Sequence, residues 1–140
     1  MLRIRQTIEV QAPADEVWRV IGRPERIGDF HPHVVAATLE EGLRICTLTD
    51  GSEVVERIVE HSVVHRFYTY ELAEALESLR HYRACLAVRG HADHSHVDWD
   101  VELEPVCAED APLLARGIDE VYGEGLERLR RRLERAPLAA

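Results

Sequence analysis

Two places in this chain crowd residues that can bind metals or move protons. His91, Asp93, His94 and His96 lie close together, and His31 and His33 flank Pro32. Imidazole and carboxylate suit borderline divalent metals, and imidazole also exchanges protons near neutral pH. A metal site needs ligands that converge in a defined geometry. The four-residue cluster falls at a hairpin tip, which is exposed, and its spacing matches no established site. Adventitious divalent binding is therefore the expectation there, with no metal site and no cofactor.

Glu56 and Arg44 are the charged residues best placed to point inward. Their facing depends on the loop at Asp50-Gly51. A two-residue turn pairs position 44 with 57 and puts Arg44 and Glu56 on opposite faces. A three-residue loop puts them on the same face. The sequence leaves both open. An inward Glu56 needs a partner, because burial disfavours its charge. It would then be the best general acid or base in the chain. A solvated sheet glutamate accounts for the same residue, and no catalytic residue is assigned beyond this candidate.

The aromatic residues are the other chemical resource. Tyr68 and Tyr70 share a strand face with Leu72, and Tyr82 shares one with Ala84, Leu86 and Val88. Trp99 lies on the apolar face of the last strand, and Tyr122 on the stripe of the final helix. Buried tyrosines find partners for their hydroxyls. Several such groups on an apolar wall describe a ligand pocket. Ordinary core packing, with the hydroxyls bonded to backbone, is the competing account. No GxSxG elbow, phosphate loop or dinucleotide fingerprint is present. All 17 basic residues are Arg, which excludes Schiff-base chemistry through lysine.

These side chains need a scaffold, and its elements are legible. Leu2, Ile4, Ile8 and Val10 alternate with Arg3, Arg5, Thr7 and Glu9, the period of a half-buried strand. Pro13 suits a first helical turn, with Asp15 and Glu16 at the positive end of the dipole. Val17, Trp18 and Ile21 supply the buried face before Gly22-Arg23-Pro24 stops it. A second short helix is expected from Pro24 to Phe30. Strands are expected over 34–40, 43–49, 53–61, 65–72, 80–89 and 95–104. In the last, Val97, Trp99, Val101 and Leu103 face one way and His96, Asp98, Asp100 and Glu102 the other, as an antiparallel sheet with one wet face requires.

Residues 110–134 form one amphipathic helix, with Asp110 as its cap and Pro112 in its first turn. Leu114, Ile118, Val121, Tyr122, Leu129 and Leu133 make its stripe. Gly117 and Gly125 bracket Val121, at up to about 1 kcal/mol each relative to alanine. They either leave room between helix and sheet or let the helix approach closely. Gly123 falls on another face. Arg128, Arg130, Arg131, Arg132 and Arg135 crowd the C-terminal end and read as a solvated end suited to the dipole. The tail after Arg135 reads as frayed.

At 140 residues, 46% hydrophobic and 31% charged, the chain fits one domain spanning 1–140. A net charge of -9 opposes nucleic-acid backbones and anionic membranes. No apolar run approaches the roughly 20 residues that cross a bilayer, and Arg3 and Arg5 are not followed by a signal core. A cytoplasmic location is expected. Cys46, Cys85 and Cys107 form no CxxC pair and read as buried free thiols.

The order strand, two helices, six strands, long helix is the helix-grip arrangement: a seven-stranded antiparallel sheet wrapped around a C-terminal helix. The motifs go further. Ala12-Pro13-Ala14-Asp15-Glu16-Val17-Trp18, Asp29-Phe30-His31-Pro32, Gly51 before Glu56-Arg57, Tyr68-Thr69-Tyr70, Tyr82-Arg83-Ala84 and Val97-Asp98-Trp99 occur in an order similar to the SRPBCC (START-like) superfamily. The chain most resembles its bacterial polyketide cyclase/dehydrase-type branch, over nearly its whole length. Two departures bear on the cavity entrance: His31 stands where many relatives carry Trp, and the stretch from Glu74 to Leu79 lacks a proline.

The resemblance implies a cavity between sheet and helix for a small apolar or aromatic ligand that is lipid-, isoprenoid- or polyketide-like. Its expected contacts are Phe30, His33, Leu48, Glu56, Tyr68, Tyr70, Tyr82, Trp99, Ile118 and Tyr122, with His31 and His33 at the rim. A binding protein is the first reading. The second is a cyclase or dehydratase in which tyrosines polarise carbonyls and Glu56 or a rim histidine moves protons. A protein-interaction module of the co-chaperone type has no surface patch to recommend it. The expected partner is the small ligand, with no nucleic acid and no membrane insertion. Relatives are monomers or dimers, so a homodimer stays open.

Overall fold

A computed structural model describes residues 1–74 and 76–135; the tail expected to fray lies outside them. The elements are β1 (Leu2–Val10), α1 (Ala14–Ile21), a 3-10 segment (Pro24–Asp29), β2 (Val34–Glu40), β3 (Leu43–Leu48), β4 (Glu53–Ser62), β5 (Phe67–Leu72), β6 (Leu79–Gly90), β7 (Ser95–Pro105), a 3-10 turn (Ala108–Asp110) and α2 (Ala111–Arg135). The expected second helix is thus a 3-10 segment, and the expected strand at 65 begins at Phe67. Arg66 has φ 54°, which a strand cannot hold.

All seven strands form one antiparallel sheet in the order β1-β7-β6-β5-β4-β3-β2. Consecutive hairpins build β2 to β7, and β1 closes the far side by pairing with β7 from Leu2↔Leu103 to Val10↔Ser95. Two turns set the registers. Glu41 and Gly42 both have positive φ, 50° and 82°, as a two-residue hairpin turn demands. The next loop is three residues long. Leu48 N–H donates to the Ser52 carbonyl at 2.8 Å, Gly51 takes φ 87°, and Arg44 pairs directly with Glu56. The open choice of loop length is thereby decided, and both charged residues face inward.

The core lies between the concave sheet face, α1 and α2. Val97, Trp99, Val101 and Leu103 are all buried there. Helix α2 meets the sheet unevenly. Tyr122, Leu126, Leu129 and Leu133 are buried, whereas Leu114, Ile118 and Val121 are only half-buried. Side chains hold the helix in place: Gln6 Nε2 donates to Asp119 Oδ1 at 2.8 Å, and Glu134 Oε2 accepts the Gln11 N–H at 3.0 Å. The arginine-rich end is laced with ion pairs, Arg128–Glu124 and Arg130–Glu134 among them. The three free cysteines, all expected to be buried, divide: Cys46 is buried, Cys85 on β6 is half-buried, and Cys107, in the connection before α2, is exposed.

The three glycines of α2 play different parts. A Cβ on Gly125 would lie 3.1 Å from Trp99 Cζ3, so this glycine permits close approach. A Cβ on Gly123 would lie 3.4 Å from the Gln6 side chain, an ordinary contact that does not require a glycine there. Among the described residues, a Cβ on Gly117 would meet nothing within 4 Å. Gly117→Ala should therefore stabilise the fold by up to about 1 kcal/mol through helix propensity. Gly125→Ala should lose that gain to a clash with a fully buried ring that cannot retreat. Denaturant midpoints of the two variants check the contrast.

Candidate functional site

Where the first half of α2 stands away from the sheet, a space of about 410 Å³ remains. Small-molecule sites span roughly 300–1,000 Å³. Its walls are mostly apolar: Leu48, Val54 and Leu72 from the sheet, and Ile118 and Val121 from the helix. Gly117 faces it, and Leu76 and Leu113 lie along its edge. Leu113 is 73% exposed, a large apolar side chain left in water at the rim.

One end of this space rests on a buried ion pair. Arg44 is 0% exposed. Its Nε donates to Glu56 Oε1 at 2.9 Å, and its Nη1 donates to the Pro24 carbonyl at 2.9 Å and the Tyr68 hydroxyl at 3.0 Å. Nη2 lies 2.8 Å from the same Glu56 oxygen as an ion pair without a hydrogen bond. The guanidinium also lies over the Tyr70 ring, 4.4 Å from its centroid, a cation–π contact in a desolvated setting. Burial opposes the Arg44 charge, yet Tyr68 and the Glu56 carboxylate outweigh it and leave the group more firmly protonated than in water. Burial, with Glu56 second, pushes the Cys46 thiol up to about 12, so Cys46 is no nucleophile at neutral pH.

Tyrosine hydroxyls occupy the middle of the wall. Tyr70 and Tyr122 hydroxyls lie 3.2 Å apart, Tyr82 bonds to the same Tyr122 oxygen, and Trp99 Nε1 donates to Tyr70 at 3.0 Å. The Trp99 and Tyr122 rings stack at 4.0 Å. Burial raises the phenol pKa of Tyr68, Tyr70 and Tyr82, so all three remain protonated donors. Tyr70, Tyr82 and Tyr122 face the space together and present hydrogen-bonding groups on an otherwise oily surface.

The remaining polar groups are His31 and His33. His31 Nδ1 accepts the His33 backbone N–H at 3.1 Å, and its ring meets Trp99 edge-on at 5.8 Å. Burial, then the neighbouring His33 and Arg44, lowers the His31 pKa to about 4.

The sequence matches the family described as polyketide cyclase / dehydrase and lipid transport over residues 1–134. The chain belongs to that family. No curated protein matches it. Among solved structures, a protein from Thermobifida fusca is 31% identical, with a TM-score of 0.83 and coverage of 96% of this chain and 95% of that one. A START superfamily protein from Mycobacterium smegmatis has a TM-score of 0.77 at 12% identity, covering 95% and 97%. The Zhui aromatase/cyclase from Streptomyces sp. R1128 has a TM-score of 0.72 at 18% identity, covering 96% and 94%. The last two likenesses concern the helix-grip fold. Among the described residues, no helix is long and apolar enough to cross a membrane.

Within this family member, the expected contacts divide. His33, Leu48, Glu56, Tyr70, Tyr82, Ile118 and Tyr122 line the space. Phe30, Tyr68 and Trp99 do not; they form the core behind it. Phe30 packs edge-on to Trp99 at 5.7 Å, Tyr122 covers Trp99, and Arg44 caps Tyr68. Sequence reasoning missed Cys46, Val54 and Leu79 as lining residues. Strand parity flags the first two, since Cys46 alternates with Leu48 and Val54 with Glu56. An open depression near β1, of about 510 Å³, is different in kind: it carries matched charges such as Arg5–Asp100.

Glu56→Ala should cost about 3–5 kcal/mol by stranding the Arg44 charge, and the double variant Arg44→Met/Glu56→Leu should cost less than Glu56→Ala alone. Urea denaturation of both checks this. The unfolded chain binds the His31 proton near 6.5 and the folded chain only near 4. Stability should therefore fall as pH drops through that window, by at most about 1.4 kcal/mol per pH unit, reduced by the ring's partial solvent access. His31→Gln should remove that component, read as the difference between variant and wild-type denaturation at pH 7 and pH 4.5.

Proposed function

We propose that the protein binds a small, mainly apolar molecule, lipid-, isoprenoid- or polyketide-like, between the sheet and the first half of α2. One observation carries this reading: the space of about 410 Å³ has aliphatic walls and three tyrosine hydroxyls gathered in one place. Apolar walls supply the driving force by releasing water from ligand and protein, and a few polar groups fix orientation. A ligand with one carbonyl or hydroxyl at its tip would meet Tyr82 and Tyr122 while its body lies along Leu48, Leu72 and Ile118. The family description, polyketide cyclase / dehydrase and lipid transport, supports the polyketide- and lipid-like classes among these.

A cyclase- or dehydratase-type activity is the second reading, favoured by the gathering of Tyr82, Tyr122, Glu56 and His31 around one space. Tyrosine donors would polarise a carbonyl. Glu56 holds Arg44 through Oε1, and in this reading it or His31 moves protons.

The test uses N-phenyl-1-naphthylamine, a neutral aromatic probe whose fluorescence rises in apolar surroundings. Wild type should take up one equivalent saturably. Gly117→Phe, which grows into open space, should fold normally and weaken uptake at least about tenfold. No saturable uptake by wild type would end the binding reading. Incubation with a poly-β-carbonyl thioester separates the two readings: unchanged recovery supports binding, and loss of water by mass supports catalysis.

A further inference from the structure

The turn between β6 and β7 brings together three imidazoles, none of which lines the proposed ligand space. One ring nitrogen from each of His91, His94 and His96 lies within 4.8 Å of the others. His91 Nε2 and His96 Nδ1 face each other at 2.9 Å. In a tetrahedral zinc site with Zn–N of about 2.0–2.1 Å, ligand nitrogens sit about 3.3 Å apart, so this pair needs a movement of only tenths of an ångström. The His91 and His94 rings stack at 4.6 Å.

The surroundings suit a cation. His94 has a carboxylate at each ring nitrogen: Asp93 Oδ1 lies 2.9 Å from Nδ1 and Glu9 Oε1 lies 3.4 Å from Nε2. Whichever nitrogen takes a metal, the other remains held by a carboxylate, the arrangement that orients ligating imidazoles. The carboxylate on the metal side is then within reach as a fourth ligand. Arg89, the cation paired across the ladder from His96, is engaged by both oxygens of Asp98, at 2.6 and 3.0 Å.

The tip is also better anchored than an exposed hairpin implies. His91 N–H donates to the His94 carbonyl at 2.9 Å. Ser95, 0% exposed, donates its hydroxyl to the Ala12 carbonyl at 2.8 Å, and His96 pairs with Glu9 in the β1–β7 ladder. Sites built on rigid elements hold their geometry.

We propose that His91, His94 and His96, completed by Glu9 or Asp93, bind one borderline divalent transition-metal ion such as Zn²⁺. Three imidazoles and a carboxylate match that class rather than Mg²⁺ or Ca²⁺, which prefer all-oxygen sites. The bound ion would pin the β6–β7 turn to β1.

Isothermal titration of Zn²⁺ into the full chain at pH 7.5 tests this. The expected result is one saturable equivalent. His91→Ala and His96→Ala should each weaken it at least about tenfold, and Asp93→Asn or Glu9→Gln by about 10–100-fold when acting on the imidazole from outside. His65→Ala and His81→Ala, elsewhere on the surface, should leave it unchanged. Imidazole proton resonances of the wild type, followed by NMR during titration, should shift for the three cluster histidines alone, a readout that needs no variant. No saturable binding, several weak equivalents, shifts spread over all histidines, or undiminished binding by His91→Ala and His96→Ala would each overturn the proposal.

Discussion

A full positive charge with no contact to water is the demand around which this molecule is organised. The Arg44 guanidinium is 0% exposed, and an unpaired charge in that position would cost several kcal/mol. Its partners come from three other places in the chain: Glu56 on β4, Tyr68 on β5 and the Pro24 carbonyl of the 3-10 segment. Satisfying one side chain thus ties the N-terminal helical region to three adjacent strands. It also fixes register, since a slip of one residue between β3 and β4 would send Arg44 and Glu56 to opposite faces.

From Arg44 the polar connection runs inward. The guanidinium lies over Tyr70, whose hydroxyl meets Trp99 and Tyr122. Tyr122 belongs to α2, so the chain of contacts ends on the helix that the sheet encloses. Because buried polar groups must be paired, this line of side chains specifies how the helix sits. Burial keeps Tyr70 and Tyr82 protonated, and both face the space with Tyr122.

The tilt of α2 follows from what its residues allow. Gly125 lets the helix come down on Trp99, and Leu126, Leu129 and Leu133 are buried, so the second half packs tightly. In the first half Leu114, Ile118 and Val121 are only half-buried, and a Cβ on Gly117 would meet no described residue within 4 Å. Tighter packing at one end and looser packing at the other leave a space of about 410 Å³, with Leu113 exposed beside it. Its apolar walls contrast with the charge-paired depression near β1.

The sequence by itself determined the elements and their faces. The period-two pattern of β7, the Pro13 helix start and the amphipathic stripe from Leu114 to Leu133 are local signals, and a local signal survives reading along the chain. It also determined that the tyrosines and Trp99 turn inward. Tertiary structure alone decided which inward residues are wall and which are core. Tyr68 and Trp99 carry the same strand pattern as Tyr70 and Tyr82, yet Arg44 caps Tyr68, Tyr122 covers Trp99, and Phe30 packs against Trp99 from the 3-10 segment. It likewise decided the loop of three residues at 49–51, because Asp-Gly serves turns of either length and the burial of Arg44 selects between them. Glycines read as equivalent along a helix separated into close contact and open space, since a missing side chain acquires meaning only from what stands opposite it.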